Sequence, residues 1–170
     1  IVKAASLLMS LAVATTADAD FVAYDDFDEW QAALGETFHT VTFTELGGFQ
    51  ILDDQYVDRG ILFPEGNDHV DDDSAFQNDL WGVDGFDATI TVDFTEDVYF
   101  VGIHYPGGMR LRPHYQGEMV ADIPFVVGFG FAGLISDEPF DSIVFLDQFG
   151  DVNVDDLHIP WRQQLYYHLP

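Results

Sequence analysis

The clearest pattern in the chain is an alternation of apolar and polar residues between positions 88 and 95. Ile90, Val92 and Phe94 fall on one face of an extended segment, and the residues between them are polar. This period of two is typical of a strand with one buried face. Further strands are predicted for residues 38–44, 60–63, 98–105, 109–115, 118–123, 125–132, 141–147 and 152–159. Many short strands in series predict an all-β fold, an antiparallel β-sandwich of the jelly-roll, lectin-like type.

One short helix interrupts this pattern at residues 26–34. Asp26 is a suitable N-cap residue, and Gly35 is suited to end the helix. Phe27 and Trp30 lie on one helical face, so the helix is expected to dock on the sheet as a short lid.

The last predicted strand, residues 152–159, contains a break in its alternation. Val154 fits an inward face, whereas Leu157 fits the opposite phase. One extra residue reverses the side-chain face, so a β-bulge at Asp155-Asp156 would restore the pattern. Bulges often lie beside functional sites. The equally supported alternative is that this bulge only adjusts the register of the strand and binds nothing.

The first nineteen residues differ from the rest of the chain. Lys3 precedes an apolar run over residues 4–14, and small residues follow up to Ala17-Asp18-Ala19. A basic residue, a short apolar core and an A-x-A site are the parts of a secretory signal peptide. The run is shorter than the roughly 20 apolar residues that span a bilayer. We therefore expect residues 1–19 to be an N-terminally truncated signal peptide and the mature protein to begin at Asp20.

Residues 20–160 have the size of one ordinary domain. Sixteen Phe, seven Tyr and three Trp provide enough large apolar side chains for a core. The sequence has no cysteine, which excludes a disulfide scaffold, a thiolate metal site and a cysteine nucleophile. We expect an exported bacterial domain that is held together by its core alone.

The charge balance is strongly acidic. The chain has 31 Asp and Glu against five Lys and Arg, which gives a net charge of −26. Such a surface argues against binding to nucleic acid or anionic lipid, because both need basic side chains. The acidity indicates either a solvated surface that favours solubility or the binding of divalent cations such as Ca²⁺, which prefer carboxylate ligands.

Several short motifs follow one another through the predicted domain. In chain order they are Tyr24-Asp25-Asp26-Phe27 with Trp30-Gln31-Ala32-Ala33, Thr42-Phe43-Thr44-Glu45-Leu46, Asp54-Gln55-Tyr56, Gly60-Ile61-Leu62-Phe63, residues 131–136 with 139–143, and Val154-Asp155-Asp156-Leu157. Their order and spacing resemble the exported jelly-roll domains of bacterial PEP-CTERM proteins, which are substrates of the exosortase sorting system.

The resemblance implies a lectin-like β-sandwich that is exported to the cell surface or the extracellular matrix, with no established enzymatic activity. Members of that family normally end in a Pro-Glu-Pro motif, a transmembrane helix and a basic tail. Residues 161–170 show none of these, so we interpret them as a tail without the expected anchor. A second departure is Thr44, where the family often has an acidic residue.

The best candidate site in the sequence is a structural calcium site. In jelly-roll modules the first and last strands lie side by side, and similar modules hold Ca²⁺ between them. Glu45, Asp155 and Asp156 would supply carboxylates there, and Asp54 would add another from a nearby loop. Ca²⁺ takes six to eight oxygen ligands, so carbonyl groups would complete the set. Solvated acidic turns are the alternative.

A transition-metal site is not predicted from the sequence. His104 and His114 flank Pro106, Gly107 and Gly108, which together predict a hairpin turn. In that hairpin the two imidazoles would not face each other, so a zinc pair is not expected.

Aromatic residues provide the candidate glycan-binding positions. Trp81, Tyr105 and Tyr115 could stack on pyranose rings, although core packing is the simpler explanation for them. The partner would then be an extracellular glycan or matrix polymer.

The sequence contains no motif for nucleophilic catalysis. There is no G-x-S-x-G, and close carboxylate pairs carry no information in so acidic a chain. We therefore expect a non-enzymatic module of the cell surface or matrix that binds calcium and glycans. The alternatives are a secreted glycan-active hydrolase or lyase and a purely structural matrix component.

Overall fold

The computed structural model describes residues 20–43, 50–64, 68–71, 79–82, 89–147 and 153–161. These residues form mostly antiparallel β-structure with one α-helix, which confirms the predicted all-β fold class. The predicted signal peptide and the tail beyond Trp161 lie outside the described residues. Within the described part of the chain, no helix has the length and apolar character needed to cross a membrane.

The α-helix is α1 (Phe27–Leu34), and a 3₁₀ turn covers Val57–Arg59. The strands are β1 (Phe21–Tyr24), β2 (Phe38–Val41), β3 (Gln50–Ile51), β4 (Ile61–Leu62), β5 (Asp68–Asp71), β6 (Asp79–Gly82), β7 (Thr89–Tyr115), β8 (Glu118–Met119), β9 (Ile123–Asp147), β10 (Asn153–Val154) and β11 (Leu157–Pro160).

The strands form two sheets. The seven-stranded sheet has the order β1-β9-β7-β11-β2, and β4 and β8 each pair with β7. The four-stranded sheet has the order β10-β6-β5-β3. The predicted pairing of the first and last predicted strands is confirmed, because β2 and β11 lie antiparallel with Val41 opposite Leu157.

The two long strands β7 and β9 change direction along their length. Residues 89–93 and residues 112–114 of β7 both pair with residues 142–146 of β9. The two segments of β7 therefore lie on opposite sides of the same segment of β9, and β7 must bend between them. The bends coincide with shifts of register between Asp93 and Val98 and around Met109.

The predicted hairpin turn at residues 106–108 is wrong. The backbone of β7 continues through this segment as a strand, and Gly107 pairs with Gly128 of β9. His104 accordingly pairs with Phe131 across the sheet instead of lying opposite a residue of its own hairpin.

The main hydrophobic core is built from one face of the seven-stranded sheet. It includes Val101 and Ile103 of β7 and Leu134 of β9, all without solvent exposure. Val154 of β10 is buried in the same cluster, so the four-stranded sheet also contributes to this core. Two sheets that share an apolar core are the basis of β-sandwich architecture.

A second apolar cluster lies on the other face of the seven-stranded sheet, beneath α1. Phe100 of β7 and Phe131 of β9 alternate with core residues and therefore point away from the main core. They pack against Trp30 of α1, which is fully buried. The sheet is thus covered on both faces, which the alternation of its strands did not indicate.

Helix α1 forms as the sequence predicts. The Asp26 carboxylate accepts a hydrogen bond from the Glu29 N–H at 2.9 Å, and Gly35 ends the helix with a left-handed backbone at φ 62°. Trp30 donates its indole N–H to the Leu134 carbonyl at 3.4 Å. The helix is therefore the docked lid that the sequence predicts.

Candidate metal centre

The chain passes from the four-stranded to the seven-stranded sheet at Asp155 and Asp156, between β10 and β11. Two backbone hydrogen bonds join these two residues to one residue of β7. Asp155 N–H donates to the His104 carbonyl at 3.0 Å, and His104 N–H donates to the Asp156 carbonyl at 2.9 Å. Two residues thus oppose one, which confirms the predicted irregularity at Asp155-Asp156.

The irregularity decides which side chains face each layer of the fold. Val154 and Leu157 are both fully buried in the main core although they are three residues apart. His158, which follows, therefore points to the opposite face of the sheet, towards α1. It is 4 % exposed, which is unusual for a histidine without a structural or chemical reason.

Three side chains with metal-binding atoms converge at this junction. The Nε2 atom of His158 lies 3.1 Å from Nδ1 of His104. The Oδ2 atom of Asp156 lies 3.8 Å from the same Nδ1. One ligand atom from each of the three residues lies within 4.8 Å of the other two. Among the described residues, no other group of three or more His, Asp or Glu side chains has its ligand atoms within 4.8 Å of one another.

A hydroxyl group on the neighbouring strand fixes the ring of His158. Thr40 of β2 places its Oγ1 atom 2.8 Å from Nδ1 of His158. Because one ring nitrogen is engaged by Thr40, the other, Nε2, is directed at His104. Partners of this kind hold the orientation of metal-binding histidines in many proteins.

Aromatic rings surround the two imidazoles. The ring of Phe27 lies 5.1 Å from that of His158 and 5.4 Å from that of His104, measured between centroids. Phe38 lies 5.3 Å from His158, and Phe131 lies 5.3 Å from His104. The side chains of His104 and Asp156 are each about a third exposed. The group is therefore walled by aromatic rings on one side and open to solvent on the other.

The electrostatics follow from this partial burial. Burial lowers the pKa of His158 to about 4, and the neighbouring His104 adds to the effect. His158 is thus neutral near pH 7, as a metal-binding imidazole must be. Burial also raises the pKa of Asp155, and the charge of Asp156 raises it further. A cation at the junction would relieve that repulsion.

The predicted calcium ligands are only partly within the described structure. Asp155 and Asp156 lie at the junction, whereas Glu45 is outside the described residues. Asp54 is exposed, and its backbone carbonyl accepts a hydrogen bond from Val57 N–H. Two imidazoles do not suit Ca²⁺, which takes oxygen ligands. The calcium set with Glu45 therefore stays a prediction, and the described donor group fits a different ion.

The predicted glycan-stacking residues lie on different strands. Trp81 is in β6 of the four-stranded sheet, opposite Asn153. Tyr105 and Tyr115 are in β7, where Tyr105 pairs with Gly130 and Tyr115 is partly exposed beside Glu118. The side chains of Trp81 and Tyr105 are outside the described structure, so this prediction also remains open.

Sequence reasoning found Asp156 but missed its two histidine partners. The misplaced hairpin paired His104 with the wrong part of the chain. Strict alternation assigns His158 to a solvent-facing position between Leu157 and Ile159, so the sequence alone does not indicate a ligand there. The predicted bulge was the available signal. Two residues at Asp155-Asp156 must oppose one residue of a partner strand, and in the structure that residue is His104.

Comparison with known proteins adds no assignment. No protein-family model matches the chain, and no curated protein matches it either.

Proposed function

We propose that this chain is a non-enzymatic exported β-sandwich module of the cell surface or extracellular matrix that binds a divalent metal ion. The observation that carries the metal-binding part of the proposal is the convergence of His104, Asp156 and His158 at the junction of the two sheets. An ion at that point would fasten β7 to the segment that joins β10 and β11.

The charge of the chain supports the same conclusion. A net charge of −26 concentrates cations near the surface. At the junction, two adjacent carboxylates are partly buried, and the pKa of Asp155 is raised by burial and by Asp156. Binding of a cation there would lower the electrostatic cost of holding both carboxylates in one place.

Export rests on the features of residues 1–19 and on the resemblance to PEP-CTERM proteins. Expression of the full-length gene in a bacterial host, followed by fractionation and N-terminal sequencing, tests it. We expect extracellular or envelope material that begins at Asp20. Cytoplasmic protein that retains residues 1–19 would contradict it.

Thermal melting before and after chelation tests ion binding. The purified chain, without a polyhistidine tag, is dialysed against EDTA and then supplied with divalent ions at constant ionic strength. An ion at about 100 times its Kd contributes about 2.7 kcal/mol, which corresponds to an increase of roughly 5–10 °C in melting temperature for a chain of this size. An unchanged midpoint with every ion would reject the proposal and favour a purely structural component.

Glycan binding by Trp81, Tyr105 and Tyr115 is the second part of the proposal that the sequence motivates. A glycan array would test it, and alanine variants of Trp81 and Tyr115 should lose any signal. Turnover of a polysaccharide substrate by the wild-type chain would instead support the alternative of a glycan-active hydrolase or lyase.

A further inference from the structure

We infer that His104, Asp156 and His158 bind a late first-row transition metal ion, of which Zn²⁺ is the natural probe, in preference to Ca²⁺. The inference rests on the proposed function, because it names the ion class and the ligands of the proposed metal site. The inference differs from the sequence prediction in the ion and in the ligands. The sequence predicts Ca²⁺ held by carboxylates, whereas two of the three ligands here are imidazoles.

The chemistry of the donors decides the class of ion. Imidazole nitrogen suits Zn²⁺, Cu²⁺ and Ni²⁺, whereas Ca²⁺ and Mg²⁺ prefer oxygen. Two imidazoles and one carboxylate form a common donor set for zinc. The chain has no cysteine, so a competing thiolate site for such an ion does not exist.

Two of the three ligand separations are close to those expected around a bound ion, and the third lies within 4.8 Å. Ligands about 2.0–2.1 Å from a tetrahedral ion lie roughly 3.3 Å apart. The observed separations are 3.1 Å between His158 Nε2 and His104 Nδ1 and 3.8 Å between His104 Nδ1 and Asp156 Oδ2. The second distance is too long for a hydrogen bond. Asp156 Oδ2 therefore lies at ion-pair distance from His104 rather than at hydrogen-bond distance. A hydrogen bond joins His158 Nε2 and His104 Nδ1, and an ion held by both nitrogens would replace it.

The supporting structure holds the ligands in place. His104 and Asp156 are tied by the 2.9 Å backbone hydrogen bond across the bulge. His158 is fixed by the Thr40 hydroxyl and by packing against Phe27 and Phe38. His158 therefore has little side-chain freedom to lose on binding, which favours affinity.

The solvent side of the group remains open. His104 and Asp156 are about a third exposed, whereas His158 is buried. Three protein ligands leave a fourth position for water or another donor, as in open zinc sites. The ion would therefore enter from solvent without rearrangement of the core.

The experiment compares ions and ligand variants on the untagged full chain. After EDTA treatment, binding of Zn²⁺ and Ca²⁺ is measured by calorimetry, and melting is followed with each ion. The variants are His104→Asn and Asp156→Asn, which change partly exposed side chains and preserve approximate shape. The matched controls are His114→Asn and Asp97→Asn, at a partly exposed and an exposed position outside the group.

Zn²⁺ is expected to bind in a one-to-one complex and to raise the melting temperature, while Ca²⁺ has little effect. His104→Asn and Asp156→Asn should each weaken Zn²⁺ binding by more than about 100-fold, because loss of an outer partner alone costs about 10–100-fold. The two controls should bind as the wild type does. Co²⁺ provides a second readout, since its visible absorption reports coordination even in a destabilised variant.

Other outcomes separate the inference from the proposed function. Stabilisation by Ca²⁺ but not Zn²⁺ would overturn the inference and leave the proposed function standing. Zn²⁺ binding that survives both ligand substitutions would also overturn it, because the ion would be held elsewhere. No effect of either ion would overturn both.

Discussion

His158 is the residue on which the local chemistry depends. It is 4 % exposed, yet both of its ring nitrogens have polar neighbours, Thr40 at 2.8 Å and His104 at 3.1 Å. A buried polar side chain is stable only when such partners are present. The same partners that allow the imidazole to be buried also aim Nε2 at the open side of the group.

Replacing Thr40 by Val tests this positioning role. The change removes the hydroxyl next to His158 and keeps the shape of the side chain. We expect Zn²⁺ affinity to fall by about 10–100-fold, while the chain without metal loses about 1–3 kcal/mol of stability because the buried Nδ1 of His158 loses its partner. Calorimetric titration and urea unfolding provide the two values. Thr91→Val, on another strand, is the control, and equal effects of both variants on affinity would rule out the role of Thr40.

His39 provides a separate test of burial. Its pKa is lowered chiefly by burial, although the hydrogen bond from Nε2 to the Arg59 carbonyl opposes the shift. The folded pKa thus lies below the unfolded value of about 6.5, so the unfolded chain binds the proton more readily. Neutral His39 therefore makes its full contribution to the free energy of unfolding above the unfolded pKa. That contribution is lost as the pH falls through the folded pKa.

The prediction is a difference between two pH profiles of unfolding free energy. Between about pH 8 and pH 5, wild type should lose more stability than His39→Gln, which cannot be protonated. Urea unfolding at a series of pH values measures both. Parallel profiles would show that His39 does not titrate differently in the folded and unfolded chain.

At the scale of elements, the contact between α1 and the sheet depends on two glycines. Gly102 of β7 and Gly133 of β9 lie directly opposite each other. A Cβ on Gly133 would overlap the Trp30 ring, and one on Gly102 would lie 2.9 Å from Phe131. The missing side chains leave a depression that receives Trp30 and so places Phe27 beside the two histidines.

Gly133→Ala tests whether this depression holds Trp30 in place. The added methyl group should force Trp30 outward and cost about 1–3 kcal/mol, the range for overpacked cores. Gly130→Ala on the same strand is the matched control, because nothing lies within 4 Å of its added Cβ. Chemical denaturation compares the two, and a Gly133→Ala variant as stable as Gly130→Ala would contradict the proposed contact.

The sequence predicts the helix and the strand that are determined by neighbouring residues in the chain. The cap at Asp26, the end at Gly35 and the alternation from Ile90 to Phe94 all appear in the structure. Residues 106–108 carry strong turn residues, but pairing with β9 overrides them. The position of His158 could not be predicted either, because one strand's alternation does not reveal that a helix covers its second face.

The whole molecule is dominated by negative charge. The net charge is −26, and two of its few basic side chains, Arg110 and Arg112, both contact Asp122. Most carboxylates are therefore balanced by solvent ions, and repulsion between them opposes the compact state. Screening by salt should relieve this repulsion, since the Debye length falls from about 30 Å at 0.01 M to about 3 Å at 1 M.

Stability should therefore rise with NaCl concentration. We expect an increase in melting temperature of a few degrees between about 0.01 and 0.5 M salt, with most of it at the low end. Differential scanning calorimetry in EDTA measures this without a contribution from divalent ions. A melting temperature that falls with salt would mean that attractive ion pairs, not repulsion, dominate the surface.

X-ray absorption at the zinc edge, measured on the chain loaded with one equivalent of Zn²⁺, identifies the ligand atoms directly. We expect two imidazole nitrogens at about 2.0–2.1 Å and a carboxylate oxygen at a similar distance. The imidazole scattering should be reduced in His104→Asn. A shell of oxygen atoms alone, unchanged by that substitution, would contradict the assignment of His104, Asp156 and His158 as the metal ligands.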